Sequence, residues 1–269
     1  MDKHRGCGSF ALIGGLWLWF SNQRMDAPML ARLMHSSTLK IKQVYHWLLL
    51  NQCALCQSPS QLSICSDCVK TLPELKSSCP KCALPNPHGQ ICGSCLITPP
   101  SYAQAFIPYL YQPPVDHLLK QWKYHHQYQH QWLTKGLIEL LRTIEVDAIV
   151  PLPCHWMRRL KRGRDHTAEL SKQISQALAI PTLNALKRRV NTATQRGLDR
   201  KMRQRNLKNA FEAKQSVAGL NLVLVDDVMT TGTTVEVASK TLMKAGAKSV
   251  TVACIARTPH KTKIGRAHV

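Results

Sequence analysis

Apolar residues fall in short unbroken runs through the second half of the chain, with helical stripes between them. Leu222, Val223, Leu224 and Val225 are consecutive, the pattern of a parallel strand covered on both faces. The run predicts a strand ending at Asp226 and Asp227, which places both acids at the carboxyl edge of a sheet. Val235, Ala238, Leu242 and Ala245 then recur at i, i+3, i+7 and i+10, predicting an amphipathic helix stopped by Gly246. Residues 250–255 form a second buried strand, completing a strand–loop–helix–strand unit for which a right-handed crossover is expected. Upstream, residues 146–153 read as another buried strand closed by a proline turn, and 102–111 as a strand. Residues 115–124, about 129–142 and 167–178 read as helices, with Pro113-Pro114 and Pro181 as breaks. Strands alternating with helices predict an α/β domain with a mostly parallel sheet.

Between the first strand and its helix lie Thr230, Thr231, Gly232, Thr233 and Thr234. Gly232 permits an unusual backbone angle, and the flanking amides and hydroxyls can turn toward one anion. The helix then starts at the threonines with the positive end of its dipole on that anion, which makes the loop a candidate phosphate cradle.

The eleven cysteines are unevenly used. Eight form CxxC pairs, Cys53/Cys56, Cys65/Cys68, Cys79/Cys82 and Cys92/Cys95, and three stand alone at Cys7, Cys154 and Cys254. A CxxC turn presents two thiolates to one ion, so the eight predict two four-thiolate zinc sites, with no open coordination position and hence structural rather than catalytic. Adjacent pairing is the simplest assignment; interleaved pairing would use the same residues, and an iron–sulfur cluster would be told apart by its colour. The thiols also point to metal and a reducing, cytoplasmic setting rather than to a secreted disulfide scaffold.

The chain carries 36 Lys and Arg against 15 Asp and Glu, a net charge of +21 that favours polyanionic partners. Twelve of those charges fall in residues 155–215. Arg158, Arg159, Lys161, Arg162 and Arg164 crowd the loop beyond the strand at 146–153, and residues 188–211 are basic and poor in apolar positions, hence expected to be exposed. Taken alone, that second stretch fits a disordered arm, a nucleic-acid contact or an active-site flap. The run Lys123-Tyr124-His125-His126-Gln127-Tyr128 fits either a helix junction or stacking on bases.

Residues 1–45 form an N-terminal extension in which the apolar stretch 10–20 is too short to span about 30 Å of hydrocarbon, so no membrane insertion is expected. Met25, Met29 and Met34 are alternative starts. Residues 264–269 look like translated sequencing adapter, so the tail 259–269 is expected to be partly artefactual.

Acid pair plus threonine loop resembles the signature of type I phosphoribosyltransferases, which bind phosphoribosyl pyrophosphate (PRPP) with Mg2+. The resemblance implies that Asp226 and Asp227 hold the two ribose hydroxyls and act as the catalytic acids, and that Thr230, Thr231, Gly232, Thr233 and Thr234 hold the 5-phosphate. It also implies that the loop carrying Arg158, Arg159, Lys161 and Arg162 cradles pyrophosphate or contacts nucleic acid. The double CxxC ribbons, LKQWKY at 119–124, PLPCHWMRRLKRG at 151–163, Thr192, Gln195 and Leu198, Arg203 and Asn206, and Ala210-Phe211 narrow the likeness. In order and spacing over residues 45–258 they resemble the ComF/GntX family of competence and DNA-utilisation proteins. Where that family usually has Arg-Gly-Phe-Asn-Gln, this chain has Arg162-Gly163-Arg164-Asp165-His166.

The implied architecture is a type I phosphoribosyltransferase fold over residues 102–258, preceded by a small double zinc ribbon over 46–98 in the position of the hood that selects the acceptor. The implied function is PRPP binding linked to DNA uptake or utilisation, with the acceptor unnamed and transfer itself left open. The alternative is a non-catalytic single-stranded nucleic-acid-binding protein on the same scaffold. Expected partners are PRPP, single-stranded DNA and other DNA-uptake proteins.

Overall fold

The computed structural model describes residues 52–124, 131–154, 165–189 and 210–259. In chain order the elements are α1 (Ser66–Lys70), α2 (Gly93–Ile97), β1 (Gln104–Phe106), β2 (Tyr109–Leu110), α3 (Val115–Tyr124), α4 (Gln131–Leu141) and β3 (Ala148–Pro151). They continue with α5 (His166–Leu178), β4 (Leu186–Arg188), β5 (Phe211–Ala213), β6 (Asn221–Met229), α6 (Thr233–Lys244) and β7 (Ser249–Arg257).

A parallel sheet in the order β1-β7-β6-β3 forms the centre, with β2 continuing the pairing on β7 beyond β1. The unbroken apolar run in β6 is explained by covering on both faces. Leu222 and Leu224 join one core with Val235, Ala238 and Leu242 of α6. Val223 and Val225 join the other with Leu118 and Leu119 of α3, Leu137 of α4 and Leu170 of α5. Every second residue of the strand thus meets a different set of helices.

Two strands differ from expectation. The segment 102–111 is two short strands rather than one, interrupted at Ile107-Pro108. There the chain between the two ribbons lies along the sheet edge, Leu75 N donating to Pro108 O at 2.8 Å and Leu110 N to Pro73 O at 2.8 Å. That contact covers an edge that would otherwise present unpaired backbone groups. Strand β6, expected to stop at the acids, runs through them to Met229, because β7 is equally long and pairs Asp226 with Cys254 and Met229 with Arg257. On its other side β3 ends with Pro151 opposite Val225, so the sheet loses a neighbour just where the acids begin.

The stretch 188–211, expected to be exposed, is anchored at both ends. Leu186, Ala210 and Phe211 are buried in the core, β4 and β5 pair antiparallel, and Arg189 N donates to Ala210 O at 2.9 Å. Residues 190–209 lie outside the described residues. Among the described residues no helix is long and apolar enough to cross a membrane.

Candidate functional site

The two acids leave the strand toward opposite faces. Asp227 continues the row of Val223 and Val225, and its Oδ2 lies 2.6 Å from Lys123 Nζ, with the two side chains only 19% and 15% exposed. Asp226 Oδ1 turns back to accept from Asp227 N at 2.8 Å. Burial first, then the charge of Asp227, push the Asp226 carboxyl up to about 7, against the pull of that hydrogen bond and of Lys123 and Arg188. The acid pair is therefore a partly desolvated, cation-flanked group at the point where β3 ends.

Immediately beyond, Thr230, Thr231 and Thr233 are exposed, and Gly232 adopts φ +79° as the N-cap of α6. A left-handed residue there turns the chain from strand into helix within three positions, which is why glycine occupies it. Thr231 Oγ1 and Thr233 Oγ1 meet at 2.9 Å, and Glu236 N closes the first helical turn on Gly232 O at 3.0 Å. Glu236, the acid of that first turn, is engaged elsewhere, accepting from Ser101 N at 2.9 Å and Ser101 Oγ at 2.7 Å. Loop 230–233 opens on a cavity of about 610 Å3 whose far wall includes Cys82, Cys95 and Tyr102, so the second ribbon stands beside the candidate phosphate cradle.

Of the basic residues singled out in the sequence, Arg158, Arg159, Lys161, Arg162 and Arg164 lie outside the described residues. Their segment is launched from β3, whose last pairing, Pro151 with Val225, adjoins the acids. Arg188 lies over the Phe211 ring at 5.4 Å, and Arg189 holds Glu212 through two hydrogen bonds of 2.6 and 2.7 Å. In the aromatic-basic run, Lys123 closes on Asp227 instead of facing outward, while residues 125–128 lie outside the described residues. The substituted turn also has an account. Asp165 caps α5, accepting from Ala168 N at 3.2 Å and Thr167 Oγ1 at 2.8 Å, and His166 is buried edge-on against Trp122, with ring centroids 5.1 Å apart.

The cysteines gather in two groups, Cys53, Cys56, Cys65, Cys68 and Cys79, Cys82, Cys92, Cys95, with the sulfurs of each within 4.8 Å of one another. This is the adjacent pairing. Sulfurs about 2.3 Å from a zinc ion at tetrahedral angles lie about 3.8 Å apart; Cys56 and Cys65 Sγ are at 3.8 Å, and Cys82 and Cys92 Sγ at 3.6 Å. Backbone amides already turn onto the thiols, Cys65 N to Cys53 Sγ at 3.4 Å and Cys92 N to Cys79 Sγ at 3.3 Å. Burial raises Cys53, but the amides of Cys56, Cys65 and Leu55 outweigh it and bring the thiol down to about 6. Its neighbour Cys68 is pushed up to about 12 by Cys56 and Cys65. A divalent cation at the centre of each group would hold four thiolates at these separations, and both groups fit zinc.

Comparison with known proteins agrees with this geometry. A double zinc ribbon domain family matches residues 44–96, and a phosphoribosyl transferase domain family matches residues 166–269. DNA utilization protein YhgH of Salmonella typhimurium is 35% identical over 219 residues, covering 77% of this chain and 96% of the relative. The chain belongs to the ComF/GntX family. Competence protein F of Haemophilus influenzae, 37% identical over 185 residues, covers 63% of this ComF/GntX member and 80% of its own length. Among solved structures, a purine phosphoribosyltransferase from Pyrococcus horikoshii aligns over 46% of the chain at 22% identity and a TM-score of 0.32, so the strand order and the family matches, not this alignment, carry the fold. This member thus has the type I phosphoribosyltransferase fold, with a parallel central sheet and an N-terminal double zinc ribbon.

Lys123 and Arg257 are not among the residues that the sequence marks for the site. For Lys123 a signal exists, since it falls four residues after Leu119 and so on the inward face of α3.

Proposed function

We propose that this chain binds PRPP with Mg2+ at the end of β6 in the service of DNA uptake or utilisation. The observation that carries the reading is the conjunction of two features on consecutive residues. A desolvated acid pair at 226–227 stands where β3 ends, and a left-handed glycine turn at 232 aims the start of a helix into an open cavity. Asp226 and Asp227 accept the ribose hydroxyls, and residues 230–234 take the 5-phosphate on the helix end. Bound Mg2+ supplies charge neutralisation for the pyrophosphate. If a group is transferred, an acceptor lone pair forms the new bond at the anomeric carbon as the bond to pyrophosphate breaks and pyrophosphate leaves with the electron pair, and the oxocarbenium-like centre between them is stabilised by the nearby carboxylates. Lys123 holds Asp227 in place within this arrangement. The residues Arg158, Arg159, Lys161 and Arg162 are the proposed pyrophosphate contacts, and the ribbon beside the cradle takes the acceptor side.

Incubation with PRPP, Mg2+ and a panel of nucleobases, read as released pyrophosphate, tests the catalytic part. Turnover with one base identifies the acceptor class. Release at background rates across the panel, with PRPP still bound, makes the chain a PRPP-dependent binder.

A second reading is favoured by the relatives' names and by the charge concentrated in residues 155–215, namely single-stranded DNA binding through that basic segment and contacts with other DNA-uptake proteins. Phosphate neutralisation releases counterions, so the affinity for a labelled oligonucleotide is expected to fall steeply with salt and to vary little with base sequence. Replacing Arg200, Arg203 and Arg205 by alanine is expected to flatten the salt dependence by about three contacts. Salt-insensitive binding, or binding unaffected by the three replacements, would show the segment to be a solvated surface.

A further inference from the structure

The last residue of β7 is an arginine with an unusual environment. Arg257 is 3% exposed, and among the described residues it forms no ion pair with a carboxylate. Its guanidinium is used on backbone carbonyls. Nε donates to Cys82 O at 3.0 Å, and Nη1 donates to Met229 O at 2.8 Å, to Thr230 O and to Thr258 O at 3.2 Å. One side chain therefore joins a cysteine of the second ribbon to the two residues from which loop 230–234 departs. A second tie runs parallel to it. Ser101, in the chain leaving that ribbon, donates twice to Glu236 in the first turn of α6. The loop is held from the ribbon side at its beginning and at its end.

Burying a guanidinium without an anion is costly, and the second cluster can supply the missing charge. Four thiolates around one divalent ion carry a net charge of about −2, and Cys82 belongs both to that set and, through its carbonyl, to the Arg257 contact. The first ribbon stands apart. Cys53, Ile64 and Leu72 pack with Trp122 and Trp132 in the core on the other face of the sheet, and the cavity at the loop is lined by Cys82 and Cys95 but by no cysteine of the first cluster.

We propose that the second ribbon, and not the first, sets the geometry of loop 230–234, with Arg257 as the positioning residue and the metal-loaded cluster as its counter-charge. The loop is then ordered only while the second cluster holds its metal, so loss of that one ion by oxidation or chelation disables the cradle without unfolding the sheet. The consequence for PRPP rests on the reading above; the effect on loop order does not.

The test is amide hydrogen exchange on the full zinc-loaded chain, following residues 228–237 against the core strands β6 and β7. In Arg257→Gln, with two zinc ions per chain retained, exchange at the start of α6 is expected to rise at least about tenfold, since hydrogen bonds from a charged donor are lost. Cys92→Ser is expected to do the same and Cys56→Ser to leave that segment within about twofold of the parent. Loop exchange unchanged in Arg257→Gln, or raised as much by Cys56→Ser as by Cys92→Ser, would overturn the proposal. Should either variant lose protection throughout β6 and β7, the unmodified protein decides through reciprocity. Inorganic phosphate, at a concentration where titration shows it bound, is expected to tighten one of the two zinc sites at least about threefold in equilibrium competition with a zinc-selective chelator and leave the other unchanged, and equal effects on both sites or on neither, with phosphate bound, would refute the coupling. Raised loop exchange in Arg257→Gln in a protein that binds no PRPP would retain the coupling while rejecting the PRPP reading.

Discussion

Removing the metal from both cysteine clusters is expected to abolish the folded structure of residues 79–97 and to loosen residues 53–72, while leaving the parallel sheet in place. The asymmetry follows from what each ribbon packs against. The buried cluster of the second ribbon consists of Cys79, Cys82 and Cys95, with Leu84 and Cys92 against it, and of its residues between the cysteines only the small Ala83 joins the main core. With so little apolar surface of its own, this ribbon depends on the metal, which in small zinc modules contributes about 10–16 kcal/mol of apparent binding energy. The first ribbon shares Ile64 and Leu72 with the core beneath α3 and α4 and retains that contact when the ion is gone. Elemental analysis is expected to give two zinc ions per chain. Proteolysis after chelation is expected to cut first within 79–97. One zinc or none after gentle purification, or native resistance to proteolysis after complete removal, would contradict this assignment.

The second large effect is expected at Gly232. Its φ of +79° is a conformation that a β-branched residue resists, at a cost of about 1–2 kcal/mol. A Cβ there would also stand 2.9 Å from Met229 Cε, which is itself buried. Gly232→Val is therefore expected to re-route the turn between β6 and α6, lowering affinity for PRPP and ribose 5-phosphate at least tenfold with only a modest fall in melting temperature. Gly232→Asn, which tolerates the left-handed region, is expected to recover a large part of the loss. A valine variant that binds both ligands as the parent does would show that the loop is not the phosphate cradle.

How far the sequence anticipates these features depends on how local their causes are. The β6–α6–β7 unit is legible because burial on both faces leaves an unbroken apolar run and because Gly232 and four threonines have few other uses side by side. The two cysteine clusters are legible because ligand spacing is itself the signal. The length of β6 is not local, for it is set by the partners that β7 offers as far as Arg257. Arg257 lies beyond the strand read at 250–255, and only tertiary packing reveals that its donors are used on Cys82, Met229 and Thr230. The segment at 188–211 reads as uniformly exposed because its composition is basic, whereas Phe211 is buried and supports Arg188. Composition reports the average of that stretch and cannot register two anchoring ends.

Calorimetric titration of PRPP with Mg2+ into the parent protein and into the variant carrying both Asp226→Asn and Asp227→Asn tests the central claim most directly. The parent is expected to bind with a single site per chain, and its affinity is expected to fall as pH drops below about 7. The sign follows from the raised pKa of Asp226, since protonation there converts a hydroxyl acceptor into a donor. In the double variant the charge-assisted hydrogen bonds to the ribose are lost, and affinity is expected to fall at least about a hundredfold. An unchanged affinity in that variant, at a pH where the parent binds, would place the PRPP site elsewhere or nowhere on this chain.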